Sequence, residues 1–276
     1  MAELGSDEIR AALVEDGAAN DVTTALLGTA ASRSARGVFL AEERFVVAGL
    51  SLAGCVFQTL EPGARLAAHV QEGDWTEAGT ALATVDASAR ALLAGERVAL
   101  NFLQHLAGIA TVTRAAVDAV RGTGAQITHT RKTTPGLRAL ERYAVRIGGG
   151  VDNRASLADA VLWKDNHWML LGKTGRSLAD VLRRAPQGIP VIVEVENEAQ
   201  LEEALAARVR HMLIDNQPPD RVRRWVERAG PGVTTQASGG ITLENVRAYA
   251  DAGVSLISMG ALTHSARAVS IRFEIT

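Results

Sequence analysis

A strand-loop-helix unit recurs along the chain after residue 110, and this repeat limits the available folds more than any other feature of the sequence. Short apolar runs typical of strands alternate with amphipathic stretches typical of helices. Strands are predicted over residues 125–130, 144–147, 160–164, 190–195, 211–215, 234–237 and 255–259, and helices over 177–184, 198–207, 219–229 and 243–252. Repeated βα units favour a parallel sheet, and their even spacing predicts an α/β-barrel.

Nearly every predicted strand ends in polar, charged or glycine residues. These are Arg131-Lys132, Gly148-Gly149-Gly150, Lys164-Asp165-Asn166, Glu194 and Glu196, Asp215-Asn216, Ser238-Gly239-Gly240, and Ser258 with Gly260. In an α/β-barrel the carboxyl ends of the strands form one rim, and that rim carries the active site. The sequence therefore predicts that these residues meet at one site.

The segment 128–167 concentrates positive charge beside glycine-rich turns. Its cations include Arg131, Lys132, Arg154 and Lys164. Like charges brought together repel unless an anion lies between them. A solvated basic face would explain a single Lys-Arg pair, but these cations follow apolar runs and glycines, so the segment indicates an anion-binding active site.

Composition narrows the class of protein. The chain has 276 residues, of which 47% are hydrophobic, and a net charge of −2. It is long enough for two modest domains or one extended barrel, and its net charge argues against non-specific nucleic-acid binding. The single cysteine, Cys55, excludes an internal disulfide and indicates a reducing compartment. Residues 1–10 lack an apolar signal core and no stretch is long enough to span a bilayer, so we expect a cytoplasmic protein with no membrane partner.

The first 110 residues lack the repeat and predict a small α+β unit. Ser6 or Asp7 is the expected cap of a first helix. Further helices are predicted over 50–58 and 87–106, and strands over 37–41, 45–48, 66–70 and 80–85.

Two glycine-containing loops after the last predicted strands indicate a phosphate site. Glycine at Ser238-Gly239-Gly240 and at Gly260 lets backbone N–H groups approach phosphate oxygens, although tight βα turns would use the same residues. Glu194 and Asp215 end adjacent strands and could hold Mg²⁺, or could form salt bridges to nearby lysines. Together these features indicate chemistry on a phosphorylated sugar or nucleotide.

Several strings of residues resemble the quinolinate phosphoribosyltransferase family (nicotinate-nucleotide pyrophosphorylase, carboxylating). They are residues 21–24, 89–93, 95–97, 99–104, 108–111, the whole of 130–167, Glu194-Val195-Glu196, Ser238-Gly239-Gly240 and 261–265. The resemblance covers nearly the whole chain. It implies an N-terminal α/β sandwich domain over residues 1–110, to which a C-terminal tail over 262–276 returns. It also implies an open, TIM-like α/β-barrel with fewer than eight strands over 111–261, and a homodimer with active sites between subunits.

The resemblance also implies an activity and residue roles. The family joins quinolinate to 5-phosphoribosyl 1-diphosphate and releases diphosphate and carbon dioxide, giving nicotinate mononucleotide for NAD synthesis. The implied roles are Arg131, Arg154 and Lys164 for the dicarboxylate, with Arg97 from the neighbouring subunit; Lys132, with Glu194 and Asp215 through Mg²⁺, for ribose and diphosphate; and Ser238, Gly239, Gly240, Gly260 and His264 for the 5-phosphate.

The chain departs from the family pattern near the expected acid pocket. Asp152 and Asn153 stand where the family usually has Asn-His before the arginine, so Asn153 is expected to offer the substrate a neutral donor. Asp152 would disfavour a dianion if it points into the pocket, at a cost of roughly 4 kcal/mol for carboxylates 4 Å apart at an effective dielectric constant near 20. Trp163 and Trp168 replace the more usual isoleucine and either reshape the pocket or pack between barrel and helices.

These departures keep other functions open. One is a paralogue that ribosylates another aromatic N-heterocyclic acid. Another is a non-catalytic protein that binds phosphoribosyl metabolites, although such a protein need not keep the whole catalytic set. A third is a Schiff-base aldolase that uses Lys132 or Lys164, which requires a lysine with a depressed pKa.

Overall fold

The computed structural model describes residues 5–276. The chain divides into two compact units, and the first runs up to Arg114 and includes Thr133–Gly149 and Leu262–Thr276. The second unit comprises Ala115–Lys132 and Gly150–Ala261. This division differs from the predicted domains, 1–110 with 262–276 and 111–261, because residues 133–149 lie in the first unit. The domain boundaries themselves stay a prediction.

Helices and strands alternate along most of the described chain. The helices are α1 (Ser6–Glu15), α2 (Val22–Ala25), α3 (Leu50–Leu60), α4 (Ala89–Ala119), α5 (Arg138–Ile147), α6 (Asp165–Leu171), α7 (Leu178–Leu182), α8 (Glu198–Ala206), α9 (Pro219–Ala229), α10 (Val246–Asp251) and α11 (Ala261–His264). The strands are β1 (Ser34–Ala41), β2 (Phe45–Val46), β3 (Arg65–Ala68), β4 (Trp75–Thr76), β5 (Ala81–Ser88), β6 (Gln126–Thr128), β7 (Val161–Trp163), β8 (Val191–Val195), β9 (His211–Asp215), β10 (Thr234–Ser238), β11 (Leu256–Ser258) and β12 (Ile271–Ile275).

The first unit contains an antiparallel sheet with the strand order β12-β1-β5-β3. Phe39 of β1 is fully buried, and its ring centroid lies 6.2 Å from that of Phe57 in α3 and 4.6 Å from that of Phe273 in β12. Gly37 leaves room for this packing, because a Cβ at that position would lie 2.0 Å from the Phe273 ring. The pairing of β12 with β1 confirms that the C-terminal tail returns to the first domain.

Helix α4 is longer than the predicted helix over 87–106. Its buried positions continue through Ile109, Ala110, Thr113 and Ala116, so the helical period of apolar burial extends past the predicted end. Gly108 lies on this helix against the C-terminal segment, because a Cβ there would lie 2.1 Å from the carbonyl oxygen of Arg267.

The second unit contains a six-stranded parallel sheet with the order β6-β11-β10-β9-β8-β7. Strands β7 to β11 are neighbours in chain order, and β6 joins the far side of β11, as in a barrel. Within residues 5–276 β6 and β7 do not pair, and β6 instead makes a single bridge from Thr128 to Val151. This confirms an open α/β-barrel with fewer than eight strands.

The predicted strand over 144–147 is wrong, because these residues end helix α5. Leu140, Tyr143 and Ala144 are buried at the spacing of a helix face, and Glu141 is buried beside them. The run 144–147, with β-branched Val145 and Ile147, is too short for its apolar pattern to distinguish a helix from a strand. The helix end is held by Arg114, whose Nε donates to the carbonyl oxygen of Gly148 over 3.0 Å.

The predicted cap of the first helix is also wrong. Gly5 precedes α1 in the left-handed region with φ 85°, and no side chain caps the helix. Ser6 is already the first helical residue.

None of the helices over residues 5–276 combines the length and the apolar character that a membrane span needs.

The close approach at Gly108 predicts a stability effect. Gly108→Ala should lower the free energy of unfolding by about 3 kcal/mol, because the added methyl group collides with backbone rather than with a side chain that can move. Gly63→Ala is the matched control, since a Cβ at Gly63 meets nothing within 4 Å. Urea unfolding of both variants measures the difference; equal stability of the two would contradict the described packing of α4.

Candidate active site

The carboxyl ends of the barrel strands surround a cavity of about 520 Å³ in the second unit. Eight of the residues predicted for the site line it: Arg131, Lys132, Asn153, Arg154, Lys164, Glu194, Asp215 and Ser238. They come from the loops after β6 and β7, from the carboxyl ends of β8, β9 and β10, and from the segment before β7. The barrel therefore brings together residues that are up to 107 positions apart, as the polar strand ends predicted.

Alternation along the strands gives the cavity a floor. Lys164, Glu194 and Asp215 lie at or just beyond the ends of their strands. Two residues nearer the amino end of each strand, side chains of the same face line the cavity as Leu162, Ile192 and Leu213. These three belong to one apolar cluster with Ala160, so the floor here is part of the barrel core.

Three carboxylates form one cluster at the rim. Glu194, Glu196 and Asp215 each place an oxygen within 4.8 Å of the others. Burial, followed by the negative charge of Asp215, raises the pKa of Glu194 to about 7. Asp215 is oriented by Asn216, whose Nδ2 donates to Asp215 Oδ2 over 2.6 Å. The cluster is a set of carboxylate oxygen donors, which are the ligands that a hard divalent cation takes.

Glu196 extends the predicted pair of acids to three. The sequence places it at the rim but predicts metal binding only for Glu194 and Asp215. Its position two residues after Glu194 places both side chains on one face of the extended chain, and this spacing was the available signal.

Positive charge also lines the site. Arg131, Lys132, Arg154 and Lys164 all reach the cavity. Burial, and then the charge of Arg131, lower the pKa of Arg154. Arg154 is held in place by a hydrogen bond from Nη1 to the carbonyl oxygen of Ala160 over 3.2 Å. Two arginines that repel each other in a half-buried site are suited to an anion with more than one negative charge.

Asn153 lines the cavity, but its side chain mainly organises the loop. Its Nδ2 donates to the carbonyl oxygen of His129 over 3.0 Å, and its Oδ1 accepts from the backbone N–H of Arg154 over 2.8 Å. One amide N–H is left for the substrate contact that the sequence predicted. The main effect of Asn153 is to fix Arg154 relative to the end of β6.

The other departures from the family pattern lie outside the cavity lining. Asp152 Oδ1 lies 3.3 Å from Nε2 of the buried His129. The Trp168 indole donates to the carbonyl oxygen of Glu194 over 2.8 Å, and its ring meets Trp163 edge to face at 6.2 Å. The structure thus favours the packing role for both tryptophans and places Asp152 against a histidine instead of the substrate pocket.

The predicted phosphate loop depends on glycine. Gly239 and Gly240 both have positive φ, 92° and 61°. A Cβ on Gly239 would lie 2.1 Å from Asn216 Oδ1, so the turn packs directly against the residue that orients Asp215. Gly260 lies in the matching position between β11 and α11.

Arg97 and His264 belong to the first unit. Arg97 is an exposed residue of α4, and His264 is the exposed last residue of α11. Their predicted roles, together with those of Gly239, Gly240 and Gly260, stay predictions.

Comparison with known proteins gives a consistent result over the whole chain. Residues 21–107 match the family model described as quinolinate phosphoribosyl transferase, N-terminal domain, and residues 109–274 match the corresponding C-terminal domain. Nicotinate-nucleotide pyrophosphorylase [carboxylating] from Mycobacterium leprae is 42% identical over 275 residues, covering 98% of this chain and 96% of that protein. A probable enzyme of the same name from Bacillus subtilis is 40% identical over 244 residues, covering 88% and 84%.

Solved structures agree with the sequence matches. The nicotinate-nucleotide pyrophosphorylase from Ehrlichia chaffeensis is 35% identical, with a TM-score of 0.91 and coverage of 100% of both chains. That from Francisella tularensis is 29% identical, with a TM-score of 0.92 and coverage of 100% of this chain and 97% of the other.

The acid cluster predicts a pH dependence of stability. The pKa of Glu194 is about 7 in the folded chain and near 4.5 in the unfolded chain. At a pH between these two values, Glu194 therefore holds a proton in the folded state that it has lost in the unfolded state. Without divalent cations, stability should therefore fall as pH rises from 5 to 8, and the Glu194→Gln variant should lose less. Melting temperatures across this range measure the effect, with the exposed Glu227→Gln as control. Parallel curves for wild type and Glu194→Gln would contradict the clustering.

Proposed function

This chain belongs to the quinolinate phosphoribosyltransferase family, which confirms the resemblance seen in the sequence, and we propose that it joins quinolinate to 5-phosphoribosyl 1-diphosphate. The products are nicotinate mononucleotide, diphosphate and carbon dioxide, and the reaction belongs to NAD biosynthesis. One observation supports this most strongly: a single cavity carries four cations beside three clustered carboxylates. A dicarboxylate and a metal-bound diphosphate together match both sets of charges.

The cations bind the acid. Arg131, Arg154 and Lys164 line the cavity together with Leu162, and they can pair with the two carboxylates of quinolinate while the apolar floor accepts its ring. Burial, followed by the charge of Arg131, lowers the pKa of Arg154, and the charges of Asp159 and Glu194 only partly oppose the shift. A bound dianion would add negative charge beside both arginines and so reduce their mutual repulsion.

The carboxylate cluster fits a magnesium ion. Glu194 and Asp215, with Glu196 beside them, would hold it through oxygen ligands, and Glu194 would lose its proton on binding because its pKa is raised. When bound, Mg²⁺ supplies positive charge that neutralises diphosphate. Lys132 lines the same cavity and adds a fixed cation for the diphosphate and ribose.

The chemistry requires positioning more than proton transfer. The pyridine nitrogen donates its electron pair to the anomeric carbon of the ribose, and the bond from that carbon to the diphosphate oxygen breaks. The resulting pyridinium accepts electron density when the carboxylate next to the nitrogen leaves as carbon dioxide, and the ring carbon then takes up a proton. The charges that grip both substrates hold the nitrogen facing the anomeric carbon and stabilise the departing diphosphate.

The remaining assignments complete the proposal. Ser238, Gly239, Gly240, Gly260 and His264 bind the 5-phosphate, and Arg97 reaches the active site of the neighbouring subunit in a homodimer. We also place the protein in the cytoplasm, in keeping with its single free cysteine, Cys55.

The structure weakens the proposal of a different heterocyclic acid. That hypothesis rested on residues 152, 153, 163 and 168, and only Asn153 of these lines the cavity. Its side chain is mostly committed to backbone groups. The Schiff-base hypothesis has less support than anion binding, because Lys132 and Lys164 lie among arginines and carboxylates that suit charged substrates.

Loss of one acid-binding cation should disable the site. Arg154→Gln should lower kcat/KM for quinolinate by at least a hundredfold, because one carboxylate of the bound quinolinate loses its charged partner in a half-buried site. Arg223→Gln, an exposed change on α9, is the control and should retain activity. Steady-state diphosphate release with Mg²⁺ and both substrates provides the measurement. Unchanged kcat/KM in Arg154→Gln would contradict the proposed acid site.

A shared active site predicts complementation between inactive variants. Arg97→Ala and Lys164→Ala should each be inactive as homodimers, but mixed dimers contain one site that keeps both side chains. Random mixing of subunits should restore about a quarter of wild-type sites in the whole mixture, which is about half of the sites in the mixed dimer itself. Co-expression with two affinity tags and an activity assay on the doubly tagged dimer test this; an inactive mixed dimer would place Arg97 outside the neighbouring site.

A further inference from the structure

The floor of the active-site cavity is apolar on one side and polar on the other. Leu162, Ile192 and Leu213 form the apolar side on β7, β8 and β9. Gln236 and Ser258 form the polar side on the neighbouring strands β10 and β11. Both are almost fully buried, at 1% and 4% exposure, so their polar groups need partners inside the barrel.

A chain of hydrogen bonds links three adjacent strands below this polar side. His211 at the start of β9 has Nε2 2.7 Å from Oε1 of Gln236. Gln236 Nε2 in turn donates to Oγ of Ser258. Neither Gln236 nor His211 has a role in the function proposed above.

The donors and acceptors in this series of hydrogen bonds can be assigned. An amide oxygen only accepts hydrogen bonds, so Nε2 of His211 carries the proton that it shares with Gln236. Burial lowers the pKa of His211, which keeps the ring neutral with a single N–H. Because Ser258 Oγ accepts from Gln236, its own proton is left over. Among residues 5–276 the Ser258 hydroxyl makes no other hydrogen bond, and it faces the cavity.

Neighbouring groups indicate which substrate receives that proton. The Ser238-Gly239-Gly240 turn follows β10, and Gly260 follows β11, two residues beyond Gln236 and Ser258 respectively. Lys164 and the Ala160 contact of Arg154 lie at β7, three and four strands away in the sheet, whereas Arg131 follows β6, the neighbour of β11. The polar side of the floor thus adjoins the proposed phosphate loops, while the apolar side adjoins Lys164 and Arg154, two of the three cations proposed for the aromatic acid.

We propose that the Ser258 hydroxyl donates a hydrogen bond to an oxygen of the phosphoribosyl group, and that Gln236 and His211 are positioning residues which hold Ser258 as a donor. This proposal rests on the proposed function for the identity of the ligand. It adds a specificity element: the floor distinguishes a phosphorylated sugar, rich in acceptors, from the aromatic ring that covers the apolar side.

Binding measurements test the proposal without requiring turnover. Calorimetry on the full chain with ribose 5-phosphate, with inorganic diphosphate plus Mg²⁺ and with quinolinate compares wild type, Ser258→Ala, Gln236→Leu and His211→Phe. Ser258→Ala should weaken ribose 5-phosphate binding about tenfold, since a donor to a polar ligand is lost, and should leave diphosphate and quinolinate unchanged. Gln236→Leu should act in the same direction, and His211→Phe should give a smaller loss.

The control separates positioning from general damage to β10. Thr235→Val changes the buried neighbour of Gln236, which points to the opposite face of the strand, and should not alter ribose 5-phosphate binding. Should Gln236→Leu fail to fold, the comparison of Ser258→Ala with Thr235→Val decides alone. Unchanged ribose 5-phosphate affinity in Ser258→Ala, equal losses for all three ligands, or no ribose 5-phosphate binding by the wild type would overturn the proposal.

The two proposals fail in different ways. If the wild type binds ribose 5-phosphate in a Ser258-dependent manner but releases no diphosphate with quinolinate, the inference about Ser258 holds and the proposed reaction is wrong. If the wild type turns over quinolinate and Ser258→Ala keeps its ribose 5-phosphate affinity, the proposed reaction holds and this inference is wrong.

Discussion

Repulsion between like charges at the barrel rim is the constraint on which the site depends. Three carboxylates each place an oxygen within 4.8 Å of the others, and burial, followed by the charge of Arg131, lowers the pKa of Arg154. Two like charges 4 Å apart repel each other by roughly 4 kcal/mol when the effective dielectric constant is near 20. The fold tolerates this cost because the six-stranded sheet and its core hold the strand ends in place. Under the proposed function, a cation among the carboxylates and a dianion among the arginines would reduce this repulsion, and ligand binding would be coupled to charge relief.

Because side chains alternate between the two faces of a strand, residues two positions apart line the same cavity in this barrel. Residues at the strand ends carry the charge, while those two positions earlier form the floor, and the floor changes from Leu162, Ile192 and Leu213 to Gln236 and Ser258 around the sheet. Glycine turns then allow close backbone approach where a side chain would collide, as at Gly239 against Asn216. Charge, floor polarity and turn geometry change together around the rim, which is the basis for proposing that two different substrates occupy separate places in one cavity.

Much of this arrangement could be predicted from the sequence, because it depends on local periodicity. Strand β9 and helix α9 begin and end at their predicted residues, and eight of the predicted site residues line one cavity. The predictions failed where tertiary contacts decide. The end of α5 carries β-branched residues in a run too short to show a period, and its burial against α4 determines that it is helical. The direction of Asp152 depends on the buried His129, which lies 23 residues earlier. Gln236 was missed because a single polar residue inside a strand-like run has no sequence signal for the partners it meets on β9 and β11.

The most direct measurement of the central claim is the product formed when purified wild-type protein is incubated with Mg²⁺, 5-phosphoribosyl 1-diphosphate and quinolinate labelled in the carboxylate next to the nitrogen. Mass spectrometry should show unlabelled nicotinate mononucleotide and labelled carbon dioxide, and diphosphate should be released in an amount equal to that of carbon dioxide. Folded protein that binds 5-phosphoribosyl 1-diphosphate but forms no nicotinate mononucleotide would contradict the central claim. That claim is that the cations and the carboxylates of one cavity bring quinolinate and the sugar together.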